Sequence, residues 1–200
     1  VIASDLSGQN SGELDTGIGG RFSSLNSGSI IFNGTTHYIT WTATSDQKPT
    51  QMTLLAWLNP DTLGVDDTIA RTEADLTGSD IGWKWLARDG IQPYMSFDPN
   101  DDGAFLANFL YPINTWSHIG ITFEGPGGSI GFYNNGELEG TTSIPSGRSL
   151  SHKNKIAIGY GNGVDDYYDG FLSIFMMYNR ALSEDEVNQN YNAHAGRYGL

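Results

Sequence analysis

Asp98, Asn100 and Asp102 stand two apart in the stretch DPNDDG, which Gly103 closes. That is the first half of a calcium loop, with oxygen ligands at positions 1, 3 and 5 and a glycine for the sharp bend at 6. The twelfth position is Phe109 rather than Glu, and no helical pattern flanks it, so an EF-hand is excluded. Asp/Asn/Gly stretches also form plain turns whose side chains cap their own backbone. A bound calcium and a metal-free turn therefore stand side by side as readings. Asp165-Asp166, with Asp169 close behind, is a second acidic cluster of the same kind.

A second constellation is aromatic. The residues GWKWLARDGIQPYMSF read as a hairpin, with Asp89-Gly90 as its two-residue turn. That register sets Trp85 opposite Tyr94 and puts Trp83, Trp85, Ala87, Gln92 and Tyr94 on one face. Leu86, Ile91, Met95 and Phe97 share the other. Taking the aliphatic face as core leaves Trp83, Trp85 and Tyr94 to offer flat rings to a sugar or a partner subunit. The opposite choice buries the tryptophans. The loop GYGNGVDDYYDG (159–170) supplies a further set: Tyr160, Tyr167 and Tyr168 among Asn162, Asp165 and Asp166. Stacking rings beside amide and carboxylate groups are what a sugar site needs, and loops over a rigid sheet are where such sites sit. A tyrosine lid over the core edge is the competing reading.

Catalysis finds no comparable support. Retaining glycosidases need two carboxylates about 5 Å apart, which on a strand means acids at i and i+2 or i+4. Glu137 and Glu139 have that spacing, but Glu137 adjoins the turn Asn135-Gly136 and reads as a solvated charge. The four histidines are isolated and there is no cysteine, so no nucleophile–base pair is supported. His118 alternates with Ile119 and Ile121 and is expected on the face opposite them, as a hydrogen-bonded structural residue. The expectation is a protein without catalytic residues.

The elements that must position these groups are short strands. Apolar runs closed by turn residues recur at 29–33, 37–41, 51–58, 67–71, 82–88, 91–97, 104–110, 115–124, 128–134, 137–142, 155–161 and 170–178. That spacing predicts an all-β, antiparallel two-sheet sandwich. Residues 1–28 are Ser/Gly/Asn-rich and are expected to be an irregular or extended segment packed on the domain of residues 29–200. One short helix is expected after Ser183, where Ser183 and Glu186 make a capping box and Val187 and Tyr191 make a buried stripe. It is expected to plug one end of the sandwich. The 200 residues suit one domain. Ten basic against 23 acidic residues give a net charge of −13, which leaves no basic stripe for nucleic acid or anionic lipid. The longest apolar stretch, 171–178, is too short to span a bilayer.

Five segments in order carry a family resemblance: SDLSGQNSGEL (4–14), SIIFNGTTHYIT (29–40), MTLLAWLNP (52–60), NTWSHIGITFEG…IGFYNNGELEG (114–140) and FLSIFMMYNRALSEDEV (171–187). They resemble the laminin-G-like branch of the concanavalin A-like lectin/glucanase superfamily, whose fold is a two-sheet jelly roll. The resemblance implies non-catalytic binding of glycans, sometimes of proteins, often with calcium, and it carries over no site residues. An acidic pair that the related pattern has after Asp169-Gly170 is replaced here by Ser173 and Ile174. The family's opening strand, which normally precedes the DLSG turn, is absent from this sequence, so the chain reads as the C-terminal part of a longer polypeptide or as one whose first strand is supplied otherwise. The closing NQNYNAHAGRYGL (188–200) is similar to the ends of such domains in tailed-phage virion proteins. The expectation is thus a recognition or adhesion module on an extracellular or virion surface. Its partner would be a glycan or cell-surface polysaccharide. The alternative is a structural virion component, a capsid decoration or fibre-tip domain, that contacts other subunits or further copies of itself.

Overall fold

β-branched and aromatic residues alternate with polar ones between Gly, Asn and Pro breaks, and these runs fold as strands. The computed structural model describes residues 2–4, 11–16, 21–23, 28–62, 64, 66–75, 81–88, 92–97, 105–107, 109–110, 112–161 and 166–200. Among them are β1 (Ile2–Ser4), β2 (Ser11–Thr16), β3 (Arg21–Ser23), β4 (Ser29–Asn33) and β5 (His37–Thr42). Then come β6 (Met52–Thr62), β7 (Asp66–Glu73), β8 (Ile81–Arg88), β9 (Gln92–Ser96) and β10 (Phe105–Leu106). The last five are β11 (Ser117–Phe123), β12 (Ser129–Asn134), β13 (Glu137–Ser143), β14 (Lys155–Ile158) and β15 (Asp169–Tyr178), and one helix follows, α1 (Glu184–His194). Every apolar run of the sequence holds a strand. Residues 1–28, expected to be irregular or extended, contribute three strands that pair into the sheets.

Sheet A has the order β1-β2-β5-β14-β7-β8-β9-β10, and sheet B has β13-β12-β11-β6-β15-β4-β3. All strand pairs within them are antiparallel, for example Ile121 opposite Leu54 and Ile158 opposite Ala70. The sheets stack with one core between them. Sheet B contributes Met52, Leu54, Ala56, Leu58, Ile119, Ile121, Phe123, Ile130 and Phe132, and sheet A contributes Trp83, Trp85, Ala87, Met95 and Ile158. Ring contacts cross the gap. Phe97, just past β9, meets Phe123 edge-on with centroids 4.9 Å apart, and Trp85 meets Phe175 at 6.4 Å.

The β8–β9 register corrects the expected hairpin. Arg88 pairs with Gln92 and Trp85 with Met95, so three residues, not two, separate the strands. A one-residue slip moves every side chain to the other face. Trp83 and Trp85 therefore join Met95 and Phe97 in the core, both at 0% exposure, and cannot offer a ring to a ligand. Tyr94 pairs with Leu86 on the opposite face and is also buried. The Asn135-Gly136 hairpin keeps its expected form. Asn134 pairs with Glu137, and both turn residues have positive φ, 49° and 84°, as a type I′ turn requires.

Helix α1 has the expected capping box: Glu186 N–H donates to Ser183 Oγ, and the Ser183 N–H donates back to Glu186 Oε2. Its place differs from expectation. Rather than plugging an end of the sandwich, it lies on the outer face of sheet B, where Leu182 and Val187 pack on Leu55 and Tyr133 in a second small core.

Candidate functional site

On sheet A, odd–even alternation sends Ile39 and Ile158 inward and Tyr38 and Arg71 outward, because β14 aligns Ile158 with both Ile39 and Ala70. Past Ile158 the chain leaves the sheet at Gly159, whose φ is +73°. A Cβ there would stand 2.4 Å from the Phe32 ring, so only glycine fits both the angle and the space. The excursion is pinned at both ends. Gly159 N–H donates to Ile69 O and Tyr168 N–H returns to Gly159 O, while Thr68 N–H donates to Asp166 O. A parallel bridge joins Thr68 to Tyr167.

This geometry gathers Tyr38, Tyr160 and Tyr167 into one cluster. Tyr160 sits edge-on to Tyr38 at 4.8 Å and to Tyr167 at 5.4 Å, and Tyr38 and Tyr167 are 6.5 Å apart. All three are part-exposed. Beneath them the Arg71 guanidinium lies 4.5 Å from the Tyr160 ring centroid and donates to Glu73 Oε2 at 2.9 Å. Both charged residues are buried, at 2% and 0% exposure. A buried charge needs such a partner, and the ring face adds a cation–π contact. Burial pushes the Tyr160 and Tyr167 phenols up, with nearby Glu73 adding to the shift of both, so both stay protonated at neutral pH. The cluster is thus a fixed aromatic surface bearing neutral hydroxyls.

The sequence-predicted site residues separate here. Tyr160 and Tyr167 meet. Tyr168 does not join them: it is fully buried against Phe32 at 5.6 Å, and its hydroxyl donates to Phe171 O. Asp166 is part-exposed beside Tyr167. Asn162, Asp165 and the calcium candidates Asp98, Asn100 and Asp102 lie outside the described residues. Among the described residues, no three His, Cys, Asp or Glu side chains are placed to share a metal. Tyr38 and the Arg71–Glu73 pair are the residues that sequence reasoning missed. Their only signal was opposite charges two apart in the run TIARTE, which reads equally as a solvated strand edge.

The outer face of sheet B carries a different aromatic group. Trp57 stacks on Tyr198 at 4.1 Å and on Tyr191 at 5.7 Å, and Trp116 lies 4.8 Å from Tyr198. His118 faces away from Ile119 and Ile121 as expected, but it is not hydrogen-bonded through its ring: neither ring nitrogen has a partner among the described residues. Glu137 and Glu139 are exposed on the edge strand β13, as solvated charges should be. No described helix is long and apolar enough to cross a membrane.

Residues 33–188 match a laminin G family model described as the concanavalin A-like lectin/glucanases superfamily, and the chain belongs to that superfamily. A curated mouse (Mus musculus) protein, pentraxin-related protein PTX3, is 29% identical over an alignment of 122 residues that covers 53% of this chain and 32% of that protein. The binding domain of Paraclostridial Mosquitocidal Protein 1 superposes with a TM-score of 0.74 at 22% identity, over 95% of this chain and 49% of its own. The botulinum neurotoxin serotype G binding domain gives 0.73 at 20%, over 94% and 47%. The serotype D ligand-binding domain, solved with N-acetylneuraminic acid, gives 0.71 at 18%, over 95% and 48%. These likenesses establish the jelly-roll fold. The chain spans about a third of the curated relative and about half of each solved chain.

Proposed function

We propose that this superfamily member is a non-catalytic recognition module that binds a glycan at the rim of sheet A, across Tyr38, Tyr160 and Tyr167. The observation that carries the reading is the part-exposed tyrosine cluster, held from beneath by a buried ion pair. Sugar rings present C–H faces that stack on such rings, and their hydroxyls meet phenols, amides and carboxylates. Asn162, Asp165 and Asp166 belong to the same loop and complete the site in this proposal. The binding domains it resembles in fold, one of them solved with a sialic acid, support the choice of glycan. An extracellular or virion surface is the setting this function needs, and calcium held by Asp98, Asn100 and Asp102 is part of the same proposal.

A glycan array probed with and without EDTA, using the wild type and the double variant Tyr160→Ala/Tyr167→Ala, tests the reading. Binding to a polysaccharide that the double variant loses supports it. Silence across bacterial and host glycans in both conditions, or binding that survives the double change, overturns it. Loss on EDTA alone would assign calcium a part.

A second reading, a structural subunit that works through protein contacts, draws on Leu110 and Ile113, which are 54% and 49% exposed in the segment before β11. Sedimentation of Leu110→Ser/Ile113→Ser separates the two. An assembly that dissolves on that change favours the structural subunit.

A further inference from the structure

Helix α1 and the residues after it close over a histidine that has nothing to bond. His118 is fully buried on β11, within sheet B, with the Trp57 ring at 5.3 Å and the Tyr191 ring at 6.0 Å. Its backbone is satisfied by Asn135 in both directions, but both ring nitrogens lack partners among the described residues, and so does Trp57 Nε1. The covering rings come from one piece of chain: Tyr191 from α1 and Tyr198 just after it, with Arg197 over the Tyr198 ring. Tyr191 also fills the notch over Gly136, where a Cβ would stand 2.9 Å from its own Cβ.

We propose that residues 184–200 form a latch on the Trp57–Trp116 face of sheet B, and that acid releases the latch from its C-terminal side by protonating His118. A neutral imidazole tolerates a dry box of rings. An imidazolium carries two donors that need acceptors, and the box supplies none. The charged and titratable groups around it do not reverse this. His194 on α1 acts on His118 in the same direction as burial, and Arg197 follows in the next turn. Tyr133 on β12 has its phenol pushed up by burial, and Tyr191 presents its ring to the imidazole. Glu137 on β13 is exposed and takes a hydrogen bond from Asn188 at 3.4 Å. β6 presents only Trp57, whose ring is tilted 47° to the imidazole. Burial first, and His194 second, lower the His118 pKa from 6.5 to about 4.

The sign follows from that direction. Above pH 6.5 the ring is neutral in both states and the latch is fully held. As pH falls from 6.5 toward 4, a His118 uncovered by the released segment takes up a proton that the covered one refuses, so the hold weakens. The other end of the segment stays clamped. Arg180 donates to both Glu186 oxygens at 2.7 Å, and that guanidinium keeps the Glu186 carboxyl at about 2. Thr53 Oγ1 donates to Arg180 O and accepts from Leu182 N–H, tying the approach to α1 onto β6. The N-terminal turn of α1 is thus a hinge and the Tyr191–Tyr198 half is the moving part.

Backbone amide protection factors at pH 7.5 and pH 4.5 test this, read beside the ring titration of His118 by NMR. The expected result is an on-the-order-of-hundredfold loss of protection after residue 190, at tenfold per unit of pKa difference, with 52–58 and 117–123 unchanged. The His118 ring should titrate over the same range as that loss. His118→Leu should keep its protection at pH 4.5. Unchanged wild-type protection at pH 4.5 overturns the proposal, as does equal loss in His118→Leu. Should that variant fail to fold, the wild type decides alone: a ring that titrates near 6.5 with the segment still protected overturns the latch.

Discussion

On sheet B, Trp57 is stacked on by Tyr191 and Tyr198 and is fully buried, whereas on sheet A the rings of Tyr38, Tyr160 and Tyr167 touch one another and stay part-exposed. Each cluster sits over a buried titratable group. Under the tyrosines, Arg71 is paired with Glu73 and lies against the face of the Tyr160 ring. Under the C-terminal segment, His118 stays neutral because nothing satisfies it. A paired charge can hold a ring from below and leave its upper side to solvent. A buried, unpaired imidazole gives the chain that covers it no bond, so that cover is held by ring packing alone. The same residue types therefore build a platform on one face and a plug on the other, and the difference lies in the group beneath.

The plug should be the costlier to damage. Trp57→Ala removes a fully buried ring stacked on two tyrosines, and a change of this kind costs about 3–5 kcal/mol. Urea unfolding should show that loss, with amides of 184–200 losing the most protection. A cost below about 1 kcal/mol would mean that the C-terminal segment contributes little to the fold, and the contrast between the faces would fail.

Much of this architecture was legible in the sequence, for physical reasons. Period-two patterning and turn residues are local, so each strand run, the Asn135-Gly136 hairpin and the Ser183–Glu186 cap could be read directly. Register across Asp89-Gly90 could not. One more residue in that connection turns β8 over relative to β9, and it moved Trp83 and Trp85 from the expected site into the core beside Met95 and Phe97. The site depends on contacts between residues far apart in sequence. Tyr38 reaches Tyr160 only because β5 and β14 are neighbours, and Arg71 reaches Tyr160 only because β14 also pairs with β7. Tyr160 and Tyr167 were visible because one loop carries both. Their partners were not.

A smaller effect is expected at Gly159, where the tyrosine loop leaves sheet A. Alanine would have to adopt φ of +73° and push against Phe32 in the core. Holding a non-glycine residue in that region costs about 1–3 kcal/mol, and the clash adds to it. Thermal unfolding of Gly159→Ala should therefore fall below wild type, and the Tyr38–Tyr160 contact should loosen, seen as broadened ring resonances. If stability is unchanged, the loop is not fixed by its departure angle and Arg71 alone holds the cluster.

Tyr167→Ala should change stability least, and that is the sharper test of the comparison. Its ring is part-exposed, and its contacts with Tyr160 and Tyr38 lie at the surface. Edge-on ring pairs contribute about 0.5–1.5 kcal/mol beyond area burial, so a loss near 1 kcal/mol is expected in urea unfolding. Affinity for a glycan should fall tenfold or more, because the ring serves the ligand more than the core. The reverse outcome, several kcal/mol of stability lost with binding intact, would make the tyrosine cluster a second plug. Both outer faces would then be closed, and the ligand would have to bind elsewhere on the jelly roll.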